Sequence, residues 1–300
     1  MTIDDPYWPR ADAWLAQEAD NPDIRVVGVP SSSASLSPSR ADLTPLAVRD
    51  RFSRFSTFHG EWDIDFGDMT VYDEGNWPIS ELDMHEMPGV VDKRARDLEP
   101  AGLIVFLGGD NAITRPLAKV QHDKIERVGV VTFDAHHDVR TLELGPANGT
   151  PIRGLIEEDG LPGANVTQIG IHSFANSAIY RHWCDDHDIS VVTVEQVRDE
   201  GMRNVIATTL ERLTDYCEVI YVDVDVDVLD AAFAPGCPGA RPGGLTVREL
   251  AEGVRHCAAH RKVAAMDFVE VDAGADPTGL TLDAMAHLIL SAAAGLTERS

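Results

Sequence analysis

Cationic side chains are scarce in this 300-residue chain: 25 Lys and Arg stand against 50 Asp and Glu, a formal net charge of −25. Such a surface repels phosphate, which argues against a nucleic-acid partner, because backbone binding there rests on a Lys/Arg surplus. Cysteine is sparse too. Cys184, Cys217, Cys237 and Cys257 show no CxxC spacing, which fits reduced thiols better than a disulfide frame or a zinc site. No apolar run reaches the roughly 18 residues of a membrane span. The opening MTIDDPYWPRADAW lacks the basic-then-apolar order of a secretory leader, so the expected compartment is the cytoplasm. Internal repeats, low-complexity tracts and dividing linkers are missing as well. The chain is therefore expected to form one domain, 1–300, with the polar, Trp-bearing residues 1–22 as an N-terminal arm.

What is present points to a parallel sheet. Hydrophobic residues make up 44% of the chain, enough for a sizeable core. Short β-branched runs recur at 24–29, 103–108, 128–133, 166–171, 189–194, 218–224 and 263–271, with helix-sized segments such as NVIATTLERLTDY and TVRELAEGVRHCAAH between some of them. Strands that are apolar throughout and alternate with helices predict an α/β fold whose sheet is covered on both faces. In such sheets ligands bind beyond the carboxyl ends of the strands. The stretch from about 60 to 100 carries no readable period.

The unusual residues fall at those strand ends. VGVVTF runs into Asp134-Ala135-His136-His137-Asp138. If the chain stays extended there, Asp134, His136 and Asp138 share a face and His137 points away. Taken alone, that segment could equally be an acidic turn. A second cluster, Asp223, Asp225 and Asp227 at the end of EVIYVDV, changes the balance. Carboxylates stacked so closely are unfavourable unless a cation neutralises them or their pKa values rise. Two such clusters at two strand ends suggest a pair of divalent metal ions. Oxygen ligands with one imidazole favour Mn²⁺ over structural zinc.

These residues carry a family resemblance. GGDNAIT (108–114), DAHHD (134–138), DVDVDVLDAAFAPGCPGARPGGL (223–245) and the VEVD containing Glu270 occur in the order seen in ureohydrolases, the family of arginases and agmatinases. GPANGTPIRGL (145–155) and IGIHSFANS (169–177) make the chain most similar to the formimidoylglutamase branch. The resemblance implies a three-layer α/β/α sandwich around a mostly parallel sheet of about eight strands. It implies that Asp134 and Asp225 bridge two Mn²⁺ ions, with Asp138 completing one site and His136 and Asp227 the other. Glu270 matches the acid that pairs with a cationic amidine, and the implied nucleophile is water activated by the metals. The reaction implied is hydrolysis of N-formimidoyl-L-glutamate to L-glutamate and formamide, in histidine degradation.

Three departures from the family pattern stand out. Asn111 occupies the place of a metal-binding His, and an amide oxygen is a weaker donor, so one ion is expected to be held weakly. Asp223 replaces a Ser and Ala231 a Pro. Asn148 stands where arginases place a catalytic His, leaving Asp138 or His137 to move protons. The substrate's two carboxylates call for cationic or amide partners; Arg40, Arg140, Arg153 and Asn148 lie next to the motifs. The alternatives are an agmatinase or guanidino-acid hydrolase, a metal-binding homologue impaired at Asn111, and a single-zinc deacetylase, which the second aspartate cluster disfavours. Members of the family commonly form trimers or hexamers, so a homo-oligomer is expected.

Overall fold

The structure, a computed structural model, describes residues 5–16 and 19–299. Its strands are β1 (Ile24–Val29), β2 (Phe58–His59), β3 (Ile64–Asp65), β4 (Val71–Asn76), β5 (Leu103–Gly108), β6 (Val128–Phe133), β7 (Val166–Ile171), β8 (Ser190–Thr193), β9 (Val219–Asp225) and β10 (Val263–Val269). Its α-helices are α1 (Ala11–Leu15), α2 (Thr44–Arg51), α3 (Met87–Arg96), α4 (Thr114–Lys119), α5 (Pro151–Glu157), α6 (Ala178–Asp186), α7 (Val194–Glu200), α8 (Met202–Thr214), α9 (Val247–Ala258) and α10 (Leu280–Leu296). Eight strands form one sheet in the order β4-β1-β5-β10-β9-β6-β7-β8. Every pairing in it is parallel. The seven expected strands all appear, within a residue or two of their expected limits.

Alternation along each strand sorts side chains into two cores. Val105, Leu107, Val222 and Val224 join Leu210, Leu250, Val254 and Leu288 of α8, α9 and α10 on one face. Phe106, Val130 and Tyr221 join Val91, Leu117 and Leu155 of α3, α4 and α5 on the other. Because helices cover both faces, both alternating sets must be apolar, and the strands lose the in/out period of a half-exposed sheet. Helix α9 begins with a capping box, Thr246 and Glu249 each satisfying a backbone N–H of the other, a signature carried by TVRE. Helix α10 is buried nearly all round. No helix among the described residues is long and apolar enough to cross a membrane.

The stretch that lacked a readable period holds the edge strand β4, the small antiparallel pair β2–β3 and helix α3. Strand β4 reads VYDEGN because it lies at the sheet edge, where charge blocks further pairing. Asp73 takes both Nε and Nη2 of Arg49 at 2.7 and 2.6 Å, and Glu74 pairs with Arg25. Within the expected arm, Ala11, Trp14 and Leu15 are buried. The Trp14 ring meets Phe66 edge-on at 5.2 Å, and its Nε1–H donates to the Met69 carbonyl at 2.9 Å. Replacing Trp14 by Ala removes a buried aromatic and a hydrogen bond. The expected cost is roughly 3 kcal/mol, measured by urea unfolding; an unchanged midpoint would mean that α1 contributes nothing to the fold.

Candidate active site

The four central strands β5, β10, β9 and β6 are neighbours, so their carboxyl ends bring distant sequence segments together. Asn111 follows β5, Glu270 follows β10, Asp225 ends β9, and Asp134 to Asp138 follow β6. His136, Asp138, Asn148, Asp225, Asp227 and Glu270 line one cavity of about 360 Å³. The loop after β6 does not stay extended. Asp138 adopts φ 52°, and Glu270 likewise sits at φ 66°. Left-handed backbone at a non-glycine residue costs on the order of 1–3 kcal/mol and tends to mark functional sites. Here it belongs to two carboxylates that face the cavity. His137 turns away as expected: its Nδ1 lies 2.6 Å from Gln168 Oε1 on β7, and it does not line the cavity.

Asp134, His136 and Asp227 bring donor atoms within 4.8 Å of one another, the one such group among the described residues. His136 Nδ1 is 2.8 Å from Asp227 Oδ2 and 3.6 Å from Asp134 Oδ1. Burial works to lower the His136 pKa, but Asp227 and Asp134 outweigh it and hold the imidazole up at about 11. Burial works to raise Asp227, and His136 reverses that, keeping its carboxyl below the ordinary value. Asp134 is pushed up to about 6 by burial and by the charge of Asp227. Asp138 and Asp225 are raised well above the carboxylate range, first by burial and then by neighbouring acids. These buried acids need positive charge, and the imidazolium proton supplies part of it. A divalent ion would supply more, and the imidazole would have to give up that proton to serve as a ligand. Carboxylate oxygens and one imidazole fit a hard or intermediate cation such as Mn²⁺. Burial holds the Cys237 thiol, in the same neighbourhood, neutral and so a poor ligand.

Asn111 is buried beside this group. Its Nδ2 donates to Asp138 Oδ2 at 2.6 Å, and its Oδ1 lies 2.6 Å from Thr114 Oγ1. The amide oxygen, the atom expected as a weak ligand, thus points to Thr114. The Asn111 backbone N–H donates to Glu270 Oε1 at 2.7 Å, and Asn148 Nδ2 donates to the same oxygen at 3.0 Å. Burial pushes Glu270 up to about 8, with the charge of Asp110 adding to it. Asn148 also accepts from the Leu36 N–H at 3.1 Å, tying the Ser-rich loop after β1 to this acid.

The expected arginines separate. Arg140 lines the cavity, its stem lying across Gly149, where a Cβ would come within 2.6 Å of Arg140 Cδ. Arg40 and Arg153, expected with it at the substrate, do not line it. Arg40 is exposed and held by Asp42 at 2.9 and 3.0 Å. Arg153 lies over the Trp183 ring at 4.7 Å, with Glu157 at 3.7 Å. Proximity in sequence to NGTP placed it on α5, whose side chains project to several sides. Two residues went unremarked in the sequence. Asp267, in mid-β10, accepts from Tyr221 OH at 2.7 Å and lies beside Asp223, in a polar network buried under the site. A lone acid inside an apolar strand was its signal. Arg241 shares the cavity wall.

Residues 22–295 match the arginase family model, and the chain belongs to that family. It is 37% identical over 270 residues to the formimidoylglutamase of Halalkalibacterium halodurans, covering 89% of this chain and 85% of the relative. The crystal structure of formimidoylglutamase from Bacillus subtilis subsp. subtilis str. 168 matches with a TM-score of 0.92 at 32% identity, covering 99% of this chain and 94% of that one. A formiminoglutamase from Trypanosoma cruzi, solved with Mn²⁺, matches at 0.88 and 20% identity, covering 98% and 100%. At that identity the likeness is one of fold.

The electrostatics predict how the metal-free protein responds to pH. Between about pH 4.5 and 8 the folded chain keeps a Glu270 proton that the unfolded chain releases. His136 does the same between 6.5 and about 11. Both make stability fall as pH rises. Metal-stripped protein should therefore melt lower at pH 8 than at pH 6, and Mn²⁺ should raise the melting temperature more at pH 8. Glu270→Gln should flatten part of the slope; a metal-free protein that is more stable at pH 8 would contradict the assignment.

Proposed function

We propose that the chain hydrolyses N-formimidoyl-L-glutamate to L-glutamate and formamide, with two Mn²⁺ ions and one of them held weakly. One observation carries this reading: a single cavity is lined by His136 and Asp227 of the metal-binding group, by the buried Glu270 and by the cationic Arg140, with Asp134 beside His136. That combination suits a molecule with an amidine at one end and carboxylates at the other. Kinship with formimidoylglutamases at 37% identity supports the same substrate.

The residues divide the work by chemistry. Asp134, His136 and Asp227 would hold an ion, with Asp225 and Asp138 beside them to complete a pair. When bound, Mn²⁺ supplies Lewis acidity toward water and the amidine. Glu270, its Oε1 fixed by Asn111 and Asn148, takes the N–H groups of the amidinium; the incoming cation favours ionisation of this otherwise neutral acid. Asp138, held at Oδ2 by Asn111, carries a proton to the departing α-nitrogen, which leaves as the amine of glutamate while the formimidoyl carbon gains the water oxygen. Arg140 takes a substrate carboxylate. His137, bonded to Gln168 away from the cavity, is the poorer proton carrier of the two.

Other expectations stand with this proposal. The chain forms one catalytic domain, works in the cytoplasm in histidine degradation, and assembles as a trimer or hexamer. Four buried, unpaired cysteines support a reducing compartment.

A panel of formimidoylglutamate, arginine, agmatine and guanidinobutyrate, scored for formamide against urea, tests the reaction. Formamide from the first alone is expected, lost on chelation and restored by Mn²⁺; urea from a guanidine, or full activity without metal, would overturn the reading. Arg140→Ala should raise KM for formimidoylglutamate about tenfold or more with a small change in kcat, as loss of a charged hydrogen bond implies. An unchanged KM would remove Arg140 from the substrate site.

A further inference from the structure

The cavity holds a second guanidinium. Arg241 lines it together with Arg140, and neither forms an ion pair with a described carboxylate. In a chain with 25 basic residues against 50 acidic ones, two such arginines lining one cavity need a reason. Among the described residues the Arg241 side chain makes one hydrogen bond, a long one from Nη1 to the Gly239 carbonyl at 3.4 Å. Its guanidinium is therefore available to a ligand.

The backbone beneath it is well fixed. The Arg241 carbonyl accepts from the Ala231 N–H at 3.1 Å, and the Gly243 N–H donates to Asp230 Oδ2 at 2.6 Å. On the other side Gly239 presses against the metal-site residue Asp227; a Cβ there would lie 2.2 Å from Asp227 Oδ2. Pro242 restricts Arg241 itself to extended backbone. The loop thus holds Arg241 at a set position relative to Asp227, while Arg140 is placed by the loop that carries Asp138. Two cationic forks reach one cavity from two different strand ends, with Glu270 and the metal-site acids lining the same space.

We propose that Arg241 binds one carboxylate of a dicarboxylic amidine and Arg140 the other, so that Arg241 sets the preference for a diacid over a monoacid. This rests on the reaction proposed above. A planar guanidinium matches a carboxylate bidentately, and the same two charges repel the cationic tail of a substrate such as agmatine.

The test compares wild type with Arg241→Ala and Arg241→Lys, each checked for equal Mn²⁺ content and melting temperature. Substrates are formimidoylglutamate, N-formimidoylglycine (α-carboxylate only), 4-(formimidoylamino)butanoate (distal carboxylate only) and N-methylformamidine (no carboxylate). Arg241→Ala should raise KM for the diacid by about 10- to 100-fold with kcat nearly unchanged, on the scale of a charged hydrogen bond. The penalty should persist on one monoacid, disappear on the other and be absent for N-methylformamidine; Lys should restore part of the loss. An equal penalty on all four substrates, or none on any, would overturn the proposal. Calorimetric binding of glutarate to the Mn²⁺-loaded protein reads the same contact without turnover. If wild type releases no formamide from formimidoylglutamate, the reaction falls and glutarate decides for Arg241: weaker binding by Arg241→Ala supports its role, and equal affinity refutes it.

Discussion

The structure turns on one electrostatic problem: several carboxylates are buried together at the carboxyl ends of β5, β10, β9 and β6. Like charges at such depth cannot all ionise unaided. The protein meets this with the His136 imidazolium between Asp134 and Asp227, with raised pKa values at Asp138, Asp225 and Glu270, and with amide donors from Asn111 and Asn148. The rest of the fold serves to hold these groups where they would not stay by themselves. Two apolar cores grip the strands from both faces, and that rigidity can hold Asp138 and Glu270 in left-handed backbone.

The same arrangement gives Asn111 a place in the site's logic. A histidine there could offer a ring nitrogen to a metal; the asparagine instead donates to Asp138 and, through its backbone, to Glu270. One residue therefore orients the two acids assigned to proton transfer and amidinium binding. Below them Thr114, Asp223, Asp267 and Tyr221 continue a buried polar network into the sheet. Asp223 adds a buried acid to that network, and burial together with the charge of Asp267 beside it holds its carboxyl well above the ordinary range.

Much of this was legible in the residues. Strands such as VGVVTF and LIVFLG announced themselves because burial on both faces demands apolar residues at every position. The strand β4 did not, since an edge strand carries Asp73 and Glu74 where a central one carries valines. The acids at 134, 138, 225 and 227 were visible through local density alone. Their convergence was expected from alternation in an extended chain, yet the loop after β6 turns, and Asp138 reaches the cavity through left-handed backbone instead.

By itself the sequence determined the class of fold and the chemistry of its acidic strand ends, because both are written in short-range patterns: apolar runs, and carboxylates at intervals of two. Which cations share a cavity with those acids was decided only by the tertiary structure. Arg40 and Arg153 stand near the motifs in sequence, but Asp42 and the Trp183 ring hold them outside the cavity. Arg241 lies more than 100 residues from DAHHD and lines the same cavity as Arg140. A long side chain reaches several ångströms in a direction set by its neighbours, and those neighbours are chosen by strand order across the sheet, which no local spacing records.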